Sequence, residues 1–116
     1  MSKTAKPKTP LPLRARDFVL LAVLQDGPLH GYALSREMST RSGGHVAVRP
    51  GDLYRILYRL AEQGLVSREP AEGPEERRRA RYHLTDYGST VLRQEAQRLA
   101  ELTAQVLSHA SAGGSS

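Results

Sequence analysis

The sequence predicts a mainly α-helical fold with one small β-hairpin, extended by a long carboxy-terminal helix. Three observations carry this. Apolar residues recur at helical spacing in three successive segments before residue 64. The period shortens to that of a strand within residues 65–84. Helical spacing then returns at Asp86 and lasts for about 24 residues.

The first segment, residues 16–25, carries Phe18, Val19, Leu21, Ala22 and Leu24, and Asp26-Gly27-Pro28 stops it. The second, residues 30–42, mixes Tyr32, Ala33, Leu34 and Met38 with polar Ser35, Arg36, Glu37 and Arg41, and ends at Gly43-Gly44. Residues 45–48 form a short link. Pro50 suits the first turn of a third helix over residues 51–63, where Leu53, Ile56, Leu57, Leu60 and Ala61 draw a clean apolar stripe ended by Gly64. Residues 65–68 and 81–84 read as strands around a polar loop at 70–79, with Tyr82 and Leu84 on one face and Arg81 and His83 on the other. Thr85 is placed to cap the last helix, residues 86–109. Gly88, in its first turn, costs less than the usual ~1 kcal/mol of a mid-helix glycine. Three helices followed by a hairpin describe a winged helix-turn-helix over residues 14–85. Residues 1–13 are expected to be a disordered basic tail and residues 110–116 a disordered polar one.

The 116 residues allow one small domain, and cysteine is absent, which excludes disulfide scaffolds and thiolate–metal sites. No apolar run approaches a membrane span, so a cytoplasmic protein with no membrane partner is expected. The net charge is +5, with 17 basic and 12 acidic residues, and arginine outnumbers lysine 14 to 3. Guanidinium groups suit phosphates and guanine edges. A GC-biased genome accounts for the ratio but not for the placement: Lys3, Lys6 and Lys8 sit at the front, and eight arginines lie between residues 49 and 81.

Those arginines define the candidate surface. Arg55 and Arg59 share the polar face of the third helix, with Tyr58 beside them. A helix of this kind fits a major groove, so Arg49, Asp52, Tyr54, Arg55, Tyr58 and Arg59 are candidate duplex-reading residues. Ser35, Arg36 and Arg41 are candidate phosphate contacts, as are Arg77, Arg78, Arg79 and Arg81 at the base of the hairpin. A merely solvated helix face or hairpin tip would also show such charges. In the last helix Leu92, Leu99 and Val106 stand seven apart with Leu102 between them. That seam, with Phe18 and Ala22 of the first helix, is expected to form the interface of a two-fold dimer. A monomer whose last helix folds back over the first is the simpler alternative.

Enzyme signatures are lacking. His30, His45, His83 and His109 show no ligand spacing, and no nucleophile elbow or glycine-rich phosphate loop occurs. No cofactor and no metal are expected. Double-stranded DNA and a second copy of the chain are the expected partners. A winged-helix adapter without a DNA target and an RNA-binding protein are the alternatives.

Three stretches resemble the PadR-like winged-helix transcriptional regulators: Gly27-Pro28-Leu29-His30-Gly31-Tyr32, Pro50-Gly51-Asp52-Leu53-Tyr54-Arg55-Ile56-Leu57-Tyr58-Arg59-Leu60, and Tyr82-His83-Leu84-Thr85-Asp86-Tyr87-Gly88. The likeness runs from about Asp17 to the end of the last helix. It implies a homodimeric repressor that binds operator DNA and is released by a small molecule or other signal. It also implies that the single helix after the wing pairs with the amino-terminal helix of the other subunit. In some members an interface pocket takes planar compounds. Here its counterpart would be lined by Phe18, Ala22, Leu99 and Leu102, without the tryptophan that stacks ligands in such pockets. Asp52 departs from the family's usual pattern and has two readings, capping the helix amides or accepting from a cytosine amino group.

Overall fold

A computed structural model describes residues 11–70, 73 and 80–115, with side chains described as far as His109. The elements are α1 (Ala15–Leu24), β1 (Leu29–His30), α2 (Gly31–Arg41), α3 (Pro50–Glu62), β2 (Val66–Arg68), β3 (Arg81–Leu84) and α4 (Asp86–Ser115). The first three helices fall within a residue or so of their expected positions, because each is driven by an apolar stripe. Leu20, Leu21 and Leu24 of α1, Leu34 and Met38 of α2, and Leu53, Leu57 and Leu60 of α3 meet in one buried core.

The sheet has three strands, not two. Its order is β1-β3-β2, all antiparallel, with Leu29 opposite Tyr82 and Arg68 opposite Tyr82 on the other side. The sequence places His30 at the start of the second helix. In the fold it pairs with Arg81 as the end of a two-residue strand, too short to leave a periodic signal.

The junction between β3 and α4 explains the Thr85-Asp86-Tyr87-Gly88 stretch. The Thr85 hydroxyl accepts from the Gly88 N–H at 2.9 Å and lies 2.6 Å from the Gly64 carbonyl, to which it donates. Thr85 therefore caps α4, as expected, and also ties it to the end of α3. Gly88 is fixed by close approach: a Cβ there would lie 2.0 Å from the Leu65 carbonyl oxygen. No side chain fits between α4 and the backbone leading into β2.

Three expectations need correction around α4. Leu92 is buried in the chain's own core beside Val91, so it is not on the surface a second subunit would touch. An i, i+7 pattern cannot tell a residue beneath the helix from one beyond the end of the core. The helix also continues to Ser115, past the expected end at His109 and into the expected 110–116 tail. Finally, the 1–13 tail does not extend to Leu13. That residue is half-buried against the core, and its N–H donates to Glu95 Oε2 at 2.9 Å. Glu95 is only 1% exposed and takes two further hydrogen bonds from Arg98, at 2.7 and 2.8 Å. Arg98 above all, then the Leu13 N–H, holds the Glu95 carboxyl below the usual carboxylate range against the cost of its burial. Residues 1–10, with their three lysines, lie outside the described residues.

Candidate nucleic-acid interface

The apolar stripe of α3 turns Leu53, Ile56, Leu57 and Leu60 inward, which dictates where the rest point. Arg55 faces directly away from the core and its side chain is 79% exposed. Tyr58 stands beside it, 71% exposed. Tyr54, Tyr58 and Ala61 turn toward the sheet, where with Leu57, Glu62, Arg68 and Tyr82 they line a cleft of about 500 Å³. Arg59 turns the other way, toward α1.

Arg59 corrects the sequence reading. Its guanidinium makes a two-pronged bond to Asp17, with Nη1 at 3.1 Å from Oδ2 and Nη2 at 2.9 Å from Oδ1. Asp17 is 3% exposed and the Arg59 side chain 35%. The pair is a strut between α1 and α3, and Arg59 is not a free cation on the reading face. The partner lies 42 residues away in sequence, so no local pattern announces it.

Other candidate cations are also held by carboxylates of the chain. Arg55 pairs with Asp52 one turn earlier, and Arg41 with Asp26 and, at 3.8 Å, Glu37. Arg81 grips Glu69 through two bonds of 3.0 and 3.1 Å across the wing. Asp52 thus binds Arg55. Its place in the first turn of α3 still suits the positive end of the helix dipole. Ser35 is committed as well, donating to the Val48 carbonyl at 3.0 Å and fastening α2 to the segment before α3. Arg49 is exposed at the amino-terminal boundary of α3. Arg36 lies 5.6 Å from the ring of Tyr32, an exposed aromatic at the start of α2 that the sequence reading did not single out. Arg68, exposed at the end of β2, is a second residue that the sequence pattern does not mark. Arg77, Arg78 and Arg79 lie outside the described residues.

Gly31 gives the Gly31-Tyr32 pair its structural meaning. A Cβ on Gly31 would fall 2.6 Å from the Tyr54 hydroxyl, so a larger residue there would push the half-exposed Tyr54 ring aside at the seam of α2 and α3.

On the opposite side, Phe18 and Ala22 of α1 and Leu99 of α4 are half-buried. Leu102 is exposed, as are Val106 and Leu107 further along α4. The clefts beside Tyr54 and Tyr82, between Asp26 and Arg41, and between Leu24 and Ser89 are lined by other residues. Among the described residues no helix is long and apolar enough to cross a membrane.

Three packed helices followed by an antiparallel wing, with the third helix turned outward, define a winged helix-turn-helix protein. The profile of the transcriptional regulator PadR-like family matches residues 20–94, and the chain belongs to that family. It is 38% identical over 92 residues to an uncharacterised 37.1 kDa protein in transposon TN4556 of Streptomyces fradiae. That match covers 79% of this chain but 25% of the relative, so the chain spans about a quarter of that protein's length. A transcriptional regulator from Clostridium thermocellum is similar in structure, with a TM-score of 0.65 and 26% identity over 81% of this chain and 87% of that one. Bacillus subtilis PadR, solved in complex with operator DNA, shares the fold, with a TM-score of 0.59 and 22% identity over 70% of this chain and 47% of that chain.

Proposed function

We propose that the chain is a sequence-specific, double-stranded DNA-binding repressor that holds a palindromic operator as a homodimer and releases it in response to a small molecule or other signal. The observation that carries this is the outward face of α3. Arg55 and Tyr58 project from a helix whose other side is locked into the core, in a member of a transcriptional regulator family. A rigid helix with an exposed arginine and tyrosine is suited to a major groove, where guanidinium reads guanine edges. Asp52 does not remove this capacity. An exposed ion pair one helical turn apart is worth at most about 1 kcal/mol, less than a good bidentate base contact at about 1–3 kcal/mol.

The dimer half of the reading is supported by Leu102, Val106 and Leu107. Fully burying an exposed side chain of this kind yields about 1.5–3 kcal/mol, and a single chain forgoes roughly half of that at each of these three by leaving them partly in water. Pairing of this end of α4 with the Phe18–Ala22 side of α1 of a second copy would cover them and set two α3 helices on one duplex. An effector would then bind between Phe18, Ala22, Leu99 and Leu102 at that interface.

One observation favours a second reading, a winged-helix adapter with no DNA target: both arginines on α3 are paired with the chain's own carboxylates. A gel-shift series on genomic fragments separates the two. The repressor reading expects a preferred duplex and a loss confined to that duplex in Arg55→Ala. The adapter reading expects no preferred duplex.

A further inference from the structure

We propose that the cleft between α3 and the wing is a seat for one deoxyribose–phosphate unit of the bound duplex, with Arg68 as its phosphate ligand. The proposal rests on the repressor reading and deepens it by assigning a phosphate ligand, Arg68, outside the residues expected to touch DNA.

The charge balance of the face leaves Arg36, Arg49 and Arg68 without a carboxylate among the described residues, and of these three Arg68 lines the α3–wing cleft. Arg41, Arg55, Arg59 and Arg81 each hold a carboxylate of the chain. Arg68 is exposed at the end of β2, and among the described residues no carboxylate pairs with it. Its neighbour there is neutral: Tyr82 stands opposite it in the β2–β3 register and lines the same cleft. A neutral phenol beside the cation does not cancel its charge. A guanidinium offers five N–H donors to a ligand.

The walls fit the same occupant. Leu57 and Ala61 give the cleft apolar lining, and Tyr54, Tyr58 and Tyr82 add aromatic walls. A sugar–phosphate unit has an apolar sugar and one negative charge, matching apolar walls with one cation at the mouth. With α3 in the major groove, the side of α3 facing the wing lies along the flanking backbone. Glu62 also lines the cleft and opposes an anion. It weakens a highly charged ligand more than a singly charged phosphodiester, and its presence gives the proposal a second, opposite handle.

The test is fluorescence anisotropy of the full chain with two labelled duplexes, one selected for tight binding and one of random sequence, between about 50 and 200 mM salt. Arg68→Ala is expected to weaken both duplexes by a similar factor, roughly three- to tenfold, and to lower the salt slope by about one. Arg68→Lys is expected to keep the slope, and Glu62→Gln to tighten both duplexes. An unchanged slope in Arg68→Ala, or a loss confined to the selected duplex, would overturn the proposal. Because Arg68 is exposed, its variants should melt like the parent. If Arg68→Ala nevertheless unfolds, Arg68→Lys and Glu62→Gln decide alone. Failure of the parent protein to bind any duplex would sink the repressor reading itself, whereas normal parent binding with indifferent Arg68 variants would sink only the cleft.

Discussion

Removing either end of the Asp17–Arg59 strut should destabilise the fold, and by unequal amounts. Breaking a fully buried, hydrogen-bonded ion pair by deleting one partner costs about 3–5 kcal/mol, because the other charge is left without a partner away from water. Arg59 is 35% exposed, so without Asp17 its guanidinium can still reach solvent. Asp17→Asn should therefore cost less, about 1–2 kcal/mol. Asp17 is 3% exposed, and Arg59→Met strands its carboxylate beneath α1 and α3. That change should approach about 3 kcal/mol, and more than 10 °C in Tm for a domain of this size. The assay is thermal and urea unfolding at fixed protein concentration, since dimerisation would make Tm concentration-dependent. DNA affinity of the surviving folded fraction should drop far less than the stability does. If Arg59→Met melts like the parent while binding collapses, the guanidinium serves DNA rather than α1, and the strut argument is wrong.

Further outcomes follow from the same contacts. Gly88→Ala should be severely destabilising, by about 3 kcal/mol or more, because its Cβ would meet the Leu65 carbonyl at 2.0 Å and backbone cannot give way as a side chain can; circular dichroism melts will show this. Glu95 has a depressed pKa in the fold, so it contributes stability that is complete above its unfolded value of about 4.3 and lost as pH falls through the lower folded value. Urea titrations from pH 7 to pH 3 should thus find the parent losing its advantage over Glu95→Gln across the acid range; a constant gap would contradict this. Leu102→Glu with Val106→Glu should convert a dimer to a folded monomer in light scattering, since both side chains are exposed and neither supports the chain's own core.

How much of this was written in the sequence depends on the range of each interaction. Helix α3 was legible because Leu53, Ile56, Leu57 and Leu60 repeat with the helical period, and that same period also fixes Arg55 as outward. The Thr85 cap was legible because capping acts over three residues. Strand β1 was not, since two residues cannot show an alternation. The self-neutralised arginines were only partly readable. Arg55 and Asp52 are neighbours on one helix, but Arg59 and Asp17, or Leu13 and Glu95, come together only through tertiary packing. Counting guanidinium groups along the chain therefore overstated the free positive charge of the face. It also hid Arg68, which is exposed and, among the described residues, holds no carboxylate.

The account stands most directly on sequence selection from a pool of randomised duplexes by the purified full chain, repeated with Arg55→Ala. The reading predicts enrichment of an inverted repeat whose half-sites lie about one helical turn apart, with preference at specific positions relaxed in the variant. A pool that stays random, or an enriched motif that Arg55→Ala leaves untouched, would contradict the claim that the outward face of α3 reads DNA.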